Sequence, residues 1–244
     1  MVTVDPRSQN VKAILFDSGR TLNVPSTGHW FITPNFDTIL VGSGAAADRV
    51  RLCAAMDRAC DYLNGIATVS TEAEEFLMFK EFYRRVLDDI GYPCADDRIA
   101  GALAQDNVYN DEKFHFFPDV EATLAELHDD YVLGVVSDTW PSLERVFINR
   151  GLRQYFSTFV MSSVHGSSKA DGLLFGIALD ESGLRADETV FVDDSESNLQ
   201  AADRFGMIPV LMDRYSRMDL RSEYPIVRSI AELPLSGLAS ANPR

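Results

Sequence analysis

Carboxylates that directly follow apolar runs are the residues in this sequence whose types and positions best suit chemistry. Asp17 follows the run Val11–Phe16, and Asp193 and Asp194 follow Thr189–Val192. A carboxylate at a strand end can attack phosphorus or an activated carbon and form a covalent ester. Carboxylates on neighbouring strands also supply the hard oxygen ligands that Mg²⁺ prefers. We therefore predict that Asp17 is a nucleophile and that Asp17 and Asp194, with Asp193 beside them, hold a magnesium ion.

Two further polar residues have positions that would complete such a site. Ser137 follows the apolar run Tyr131–Val136, and Lys169 precedes a helical pattern. A lysine would keep the Asp17 carboxyl group charged and neutralise a transferring group, and a serine hydroxyl would donate a hydrogen bond to a phosphate oxygen. Taken singly, each residue has a simpler interpretation: a helix cap for the aspartates, a loop hydroxyl for Ser137 and a surface charge for Lys169. Their occurrence together favours a site.

Short strands that alternate with helices must position these residues. The sequence predicts strands at Val11–Phe16, Tyr131–Val136, Phe156–Met161, Thr189–Val192 and Ile208–Met212. Near-continuous apolar runs of this length are typical of strands buried on both faces of a parallel sheet. Helical patterns at 119–130 and 196–205 lie between them, and such alternation indicates right-handed crossovers. We predict an α/β fold with a doubly wound parallel sheet, whose ligands bind at the carboxyl ends of the strands.

The segment from about Gly42 to Asn110 differs from the rest because it contains only helical patterns. These patterns cover Ala45–Leu63, a helix that begins with a capping box of Thr71 and Glu74, and Ala95–Tyr109. We expect an all-helical insertion that acts as a lid over the strand ends. The predicted domains are a core of residues 1–23 and 111–244 and a helical domain of residues 24–110, which includes its connectors.

Four segments resemble, in order, the motifs of the haloacid dehalogenase superfamily. They are ILFDSGRTL around Asp17, VVSD around Ser137, SSKADGLLFGIAL around Lys169, and VFVDDSESNLQAADRFGM around Asp193 and Asp194. The segment FFPDVEATLAEL resembles the return from a helical cap inserted after the first motif. The resemblance implies a Rossmann-like core with a cap domain and Mg²⁺ as cofactor. It also implies catalytic roles for Asp17, Ser137 and Lys169, and metal ligation that involves Asp17, the Gly19 carbonyl, Asp193 and Asp194. We expect substrate contacts from Ser18, Gly19, Arg20 and Asp138.

Gly19 departs from the superfamily pattern. Phosphatases of this superfamily carry a second aspartate at this position as general acid and base, and glycine has no proton to give. General acid–base catalysis typically contributes about 10²–10⁴-fold, so its loss would matter most for a simple alkyl phosphate. Three interpretations stay open: a hydrolase of a small phosphorylated metabolite, a haloacid dehalogenase-like C–halogen hydrolase, and a catalytically impaired protein that binds a phosphorylated ligand or Mg²⁺. We favour the first, because the superfamily's dehalogenases usually have tyrosine at this position.

Other charged residues near the motifs have two interpretations each. Arg20 stands where the superfamily usually has glycine, and it would either clamp a substrate carboxylate or phosphate or pair with an acidic residue of the chain. His29 is the nearest candidate in sequence for a replacement proton donor, although a lone loop histidine is seldom catalytic. We expect Arg214, Arg217 and Arg221, after the last predicted strand, to form a solvated basic patch.

Composition excludes several classes of partner. The chain has 244 residues, 22 basic and 37 acidic, with a net charge of −15. This balance argues against nucleic acids and anionic membranes and leaves a small anionic, phosphorylated substrate as the expected partner. The three cysteines, without C-x-x-C spacing, favour a reducing compartment, and the first ten residues contain no apolar segment typical of a signal peptide. We therefore expect a cytoplasmic protein.

Overall fold

A computed structural model describes residues 10–41, 49–92, 97–217, 221–233 and 235 of the chain. They form two compact units. The first comprises the described parts of Met1–Val24, Phe116–Thr139 and Phe147–Arg244, and the second those of Pro25–His115 and Trp140–Val146. The predicted helix starts at Ala45 and Ala95 lie outside the described residues, as does Cys94. The division predicted from the sequence, with a helical domain of residues 24–110, stays a proposal.

The strands follow the apolar runs of the sequence closely. In chain order they are β1 (Ala13–Phe16), β2 (Asn23–Pro25), β3 (Phe114–Phe116), β4 (Val132–Ser137), β5 (Phe156–Met161), β6 (Thr189–Asp193), β7 (Ile208–Met212) and β8 (Ile226–Val227). The predicted strands agree with β1 and β4–β7 to within two residues at each end. The two-residue strand β8 is too short to produce an apolar run and was not predicted. The pair β2 and β3 forms a separate two-stranded sheet.

Six parallel strands form the sheet of the first unit in the order β5-β4-β1-β6-β7-β8. The chain starts in the middle at β1, adds strands on one side, and then crosses to the other side, so the strand order reverses at β1. Phe16 at the end of β1 pairs with Val135 of β4 and Val192 of β6. The carboxyl ends of these three central strands therefore lie at one edge. This arrangement confirms the predicted doubly wound α/β sheet.

Helices in the described part of the chain occupy most of the predicted helical segments. In chain order they are α1 (Phe36–Val41), α2 (Arg49–Asn64), α3 (Glu72–Asp89), α4 (Asp97–Tyr109), α5 (Val120–His128), α6 (Ser142–Asn149), α7 (Ser162–His165), α8 (Leu173–Ser182) and α9 (Glu196–Arg204). In the first unit, α8 packs on β4 and β5, and α9 packs on β6 and β7. No helix among the described residues combines the length and apolar character that a membrane crossing requires.

Close packing in the central sheet requires glycine at one position of β4. A Cβ atom added to Gly134 would lie 2.5 Å from Cδ2 of Leu15 and 2.5 Å from Cγ2 of Thr158. Both neighbours belong to the strands that flank β4, so there is no room for even a methyl group without movement of the sheet. On this sheet, the buried Phe175 and Phe191 pack edge to face with ring centroids 4.9 Å apart.

The second unit has its own core of aromatic and aliphatic side chains from α1–α4. The capping box of Thr71 and Glu74 is present and precedes α3, as the sequence predicts. Two charged side chains are also buried here: Glu75 accepts hydrogen bonds from the backbone N and Oγ of Ser142, and Lys113 donates from Nζ to Oδ1 of Asn107. Burial lowers the pKa of Lys113 to about 8. The interpretation of the insertion as a lid is kept as a proposal.

Candidate active site

Asp17 lies at the edge where the central strands end. Its backbone N donates to the carbonyl of Val192 at 2.9 Å, which continues the pairing of β1 with β6 beyond Phe16. The side chain is buried, and its Oδ1 accepts hydrogen bonds from Nζ of Lys169 at 2.5 Å and from Oγ of Ser137 at 3.1 Å. The structure thus brings together all three residues predicted to be catalytic, although Asp17 is 120 positions from Ser137 and 152 positions from Lys169 in the sequence.

Lys169 is 2% exposed and lies in a single turn of 3₁₀ helix, Lys169–Asp171. Its Nζ also donates to Oδ2 of Asp193 at 2.7 Å. Burial opposes the charge on the ammonium, but the carboxylates of Asp17 and Asp193 outweigh it and raise the pKa of Lys169. The lysine is therefore a permanent cation shared by two buried carboxylates.

Asp138, one of the predicted substrate contacts, has a structural contact in this unit. Its Oδ1 accepts a hydrogen bond at 3.1 Å from the backbone N of Lys169, so it holds the lysine segment against the end of β4. Burial raises the pKa of the Asp138 carboxyl group. A direct contact of Asp138 with substrate stays a prediction.

The acidic loop after β6 is tightly held at Asp193 and open at Asp194. Asp193 is buried, and its Oδ1 accepts from the backbone N of Ser195 at 2.8 Å. Its Oδ2 accepts from Lys169 and from Nδ2 of Asn198 at 3.1 Å. Asp194 is partly exposed, and its Oδ2 lies 3.8 Å from Nη1 of Arg20. Both oxygens of Asp193 thus accept hydrogen bonds, whereas Asp194 makes only this long ion pair with the residues that the structure describes.

Asp17, Asp193 and Asp194 form a cluster suited to a cation. Each offers one carboxylate oxygen, and the three oxygens lie within 4.8 Å of one another. Burial and the neighbouring carboxylates raise the pKa of Asp17 to about 7, against the attraction of Lys169, and burial with Asp193 also raises the pKa of Asp194. One buried ammonium does not balance three carboxylates. An all-oxygen donor set with excess negative charge fits Mg²⁺.

A tight turn follows Asp17 and contains the remaining predicted contacts. The backbone N atoms of Leu22 and Asn23 donate to the carbonyl of Ser18 at 2.8 and 3.0 Å, and the Arg20 backbone N donates to the Asn23 carbonyl at 2.6 Å. Nδ2 of Asn23 donates to Oγ of Ser18 at 2.6 Å. Gly19 bridges to Asn23, and Arg20 has a positive φ of 60°. Asn23 is fully buried, and its side chain closes this turn. Its contribution was not predicted from the sequence.

The prediction of a solvated basic patch is wrong for Arg214. Its side chain is 4% exposed, and Nε and Nη2 donate to the carbonyl of Thr21 at 3.0 and 2.7 Å. Nη1 donates to both carboxylate oxygens of Asp119 at 2.8 Å, and the guanidinium lies 4.2 Å from the ring centroid of Phe117. The chain after β7 returns to the turn after β1, and this return buries the arginine. Arg217 and Arg221 are exposed, as expected.

His29 belongs to the second unit. Its Nδ1 accepts a hydrogen bond from the backbone N of Phe31 at 3.1 Å, which leaves the ring proton on Nε2, and burial lowers its pKa. A role for His29 as a proton donor stays a prediction.

Comparison with known proteins points to the same family as the motifs. The sequence model of the family described as haloacid dehalogenase-like hydrolase matches residues 96–212. A glyceraldehyde 3-phosphate phosphatase from Methanopyrus kandleri is 30% identical over 150 residues, which cover 57% of this chain and 61% of that protein. The chain thus spans less than two thirds of the length of this curated relative.

Solved structures share the fold at low sequence identity. A 2-haloacid dehalogenase from Pseudomonas syringae has a TM-score of 0.65 and 20% identity, with 92% of this chain and 96% of that chain covered. The putative HAD-hydrolase YfnB from Bacillus subtilis, bound to magnesium, has a TM-score of 0.69 and 14% identity, with coverage of 92% and 97%. The match to the family model over residues 96–212 and the order of the four motifs support a hydrolase of the haloacid dehalogenase superfamily, and the solved structures show the shared fold.

Proposed function

We propose that this protein is a Mg²⁺-dependent hydrolase of a small phosphorylated metabolite and that Asp17 forms the covalent intermediate. The observation that carries the proposal is the cluster of Asp17, Asp193 and Asp194, with ligand oxygens within 4.8 Å, beside the buried Lys169. The phosphatase relative at 30% identity supports transfer of a phosphoryl group over removal of a halide.

Asp17, Asp194 and the carbonyl of Gly19 would hold the Mg²⁺ ion, with Asp193 beside them in the same cluster. Asp193 also accepts hydrogen bonds from Lys169, Ser195 and Asn198, which fix its position. When bound, the ion supplies the positive charge that lets a phosphate dianion approach a carboxylate. Lys169 holds Oδ1 of Asp17 and opposes the rise in the pKa of that carboxyl group that burial causes. Ser137, which donates to the same oxygen, would turn its hydroxyl to a phosphate oxygen.

The reaction would proceed in two displacements at phosphorus. Oδ2 of Asp17, which accepts no hydrogen bond from the described residues, attacks phosphorus while the bond to the leaving oxygen breaks and its electron pair stays on that oxygen. Water then attacks the aspartyl phosphate, the bond between phosphorus and Asp17 breaks, and phosphate is released. Gly19 offers no proton to the leaving oxygen, so the first step favours leaving groups that are stable as anions.

The decisive experiment combines a substitution with metal removal. We expect Asp17→Asn to lower turnover of p-nitrophenyl phosphate and of glyceraldehyde 3-phosphate by on the order of 10⁴-fold or more, because the nucleophile is lost. EDTA should abolish activity of the unchanged protein, and added Mg²⁺ should restore it. Asp187→Asn is the matched control, because this carboxylate is exposed and pairs with Arg185 on the surface of the same unit. Turnover that survives Asp17→Asn or EDTA would contradict the mechanism.

Gly19 is the specific observation that favours a second candidate, a C–halogen hydrolase, because halide leaves without a proton. Halide release from a 2-haloacid in the absence of Mg²⁺, without phosphatase activity, would establish this alternative. If neither substrate class is turned over but a phosphorylated compound raises the unfolding temperature, a binding role replaces both.

A further inference from the structure

Arg20 combines an unfavourable backbone with an uncommitted side chain. Its φ of 60° lies in the left-handed region, where glycine has no steric cost and a residue with a Cβ atom does. The side chain is 60% exposed, and it donates no hydrogen bond to any described residue. Its one ion pair, with Oδ2 of Asp194, is long at 3.8 Å. Neither the turn nor an internal contact explains an arginine at this position.

The charges around Arg20 indicate what its guanidinium is available to bind. Lys169, the other cation at the cluster, is buried and donates to both Asp17 and Asp193. Arg214 is buried and bound to Asp119 and Thr21. Arg217, whose charge lowers the pKa of Asp194, donates from Nε to Oδ1 of Asp213. Among these four cations, Arg20 is the one whose side chain donates no hydrogen bond to a described residue. A guanidinium presents two parallel N–H groups that match the two oxygens of a carboxylate.

We propose that Arg20 is a specificity-determining residue that binds a carboxylate of the substrate, so that the substrates are small phosphorylated carboxylic acids. This inference rests on the proposed phosphatase function and names its substrate class. One guanidinium matches one monoanionic carboxylate. A second phosphate dianion in its place would leave excess negative charge beside Asp194, which itself belongs to an acidic cluster.

The test compares two compounds with the same carbon skeleton, 3-phosphoglycerate, which has a carboxylate, and glyceraldehyde 3-phosphate, which has an aldehyde there. We expect the protein to prefer the acid by about 10- to 100-fold in kcat/KM, the range of a charge-assisted hydrogen-bonded pair. The same preference should appear in the dissociation constants measured with Mg²⁺ in an Asp17→Asn background, where turnover is blocked. Arg20→Gly should abolish both preferences, and Arg20→Lys should retain part of them.

Arg20→Gly also separates binding from folding. Because glycine adopts the positive φ freely, its unfolding temperature should equal or exceed that of the unchanged protein. Arg185→Gln, at an exposed arginine of the same unit, should leave the preference intact. A lower unfolding temperature for Arg20→Gly would overturn the interpretation that this arginine serves a ligand and not the turn.

The outcomes distinguish this inference from the proposed function. If both compounds are hydrolysed equally well and Arg20→Gly changes nothing, the function stands and the inference is wrong. If Arg20→Gly weakens the binding of both compounds and of inorganic phosphate to the same extent, Arg20 contacts the phosphoryl group. The assignment of Arg20 to a substrate carboxylate is then overturned. If neither compound nor p-nitrophenyl phosphate is hydrolysed but the acid still binds more tightly through Arg20, the inference stands and the phosphatase function fails.

Discussion

In the proposed reaction, Gly19 would decide which leaving groups the site tolerates. It does not have a positive φ, and its backbone pairs with Asn23, so a residue with a side chain can adopt the same conformation. A carboxyl group there would lie two residues after the nucleophile and would serve as the general acid for the leaving oxygen in the proposed reaction. The superfamily's phosphatases have an aspartate at this position, and this chain has none.

We expect Gly19→Asp to raise kcat/KM for an alkyl phosphate such as glycerol 3-phosphate by at least about tenfold, within the 10²–10⁴-fold range of a full general acid. Turnover of p-nitrophenyl phosphate should change little, because its leaving group needs no proton. Gly19→Asn is the control of equal size without a titratable proton. An equal effect of both substitutions would show that the side chain acts through shape and not as an acid.

At the level of elements, the turn after β1 depends on residues far along the chain. Arg214 donates to the Thr21 carbonyl and pairs with Asp119. Asp119 also accepts hydrogen bonds from Oγ of Ser229 and from the backbone N of Ile230. These contacts, from the segments after β7 and β8, hold the turn that contains Gly19 and Arg20.

We expect Arg214→Leu to lower the free energy of unfolding by about 2 kcal/mol, because it leaves Asp119, whose side chain is 22% exposed, without its cation and the Thr21 carbonyl without its donors. The loosened turn should also weaken Mg²⁺ binding, as measured by calorimetry. Arg185→Leu removes an exposed ion pair and should leave the free energy of unfolding almost unchanged. Unchanged Mg²⁺ affinity in Arg214→Leu would show that the arginine supports stability alone.

For the whole molecule, the cluster of Asp17, Asp193 and Asp194 would make the stability of the fold depend on Mg²⁺ and on pH. The folded protein holds the Asp17 pKa at about 7, above the ordinary value of 3.8. Without metal, the folded state therefore retains a proton that the unfolded chain loses, and the resulting stabilisation is complete below pH 4 and lost as the pH rises through 7. Mg²⁺ binding has the opposite dependence, because the metal requires the ionised carboxylate.

We expect Mg²⁺ at 100 times its dissociation constant to stabilise the protein by about 2.7 kcal/mol at pH 8. At pH 6, about a tenth of the Asp17 carboxyl groups are ionised, and the same Mg²⁺ concentration should contribute about 1.4 kcal/mol. Denaturant unfolding with Mg²⁺ and with EDTA at both pH values measures the difference, and Asp17→Asn should remove the pH dependence. Equal stabilisation at pH 6 and pH 8 would exclude Asp17 as a metal ligand.

The sequence alone predicted the sheet and the composition of the candidate site. Strands buried on both faces need unbroken apolar runs, so β1 and β4–β7 are visible as such runs, and polar residues after them mark the strand ends. This position was enough to select Asp17, Ser137 and Asp193 before any contact was known. Lys169 was selected because it precedes a helical pattern within its motif. The capping box of α3 is equally local, because its hydrogen bonds join residues three positions apart.

Only the tertiary structure decided which charges are free and which are committed. The burial of Arg214 depends on the return of the chain from β7 to the turn after β1, a contact between positions 193 residues apart that leaves no periodic signal in the sequence. The sharing of Lys169 between two carboxylates and the position of Arg20 beside Asp194 also result from the way the strand ends converge. Electrostatic environment depends on distance in space, and for residues far apart in sequence that distance is set by the packed sheet.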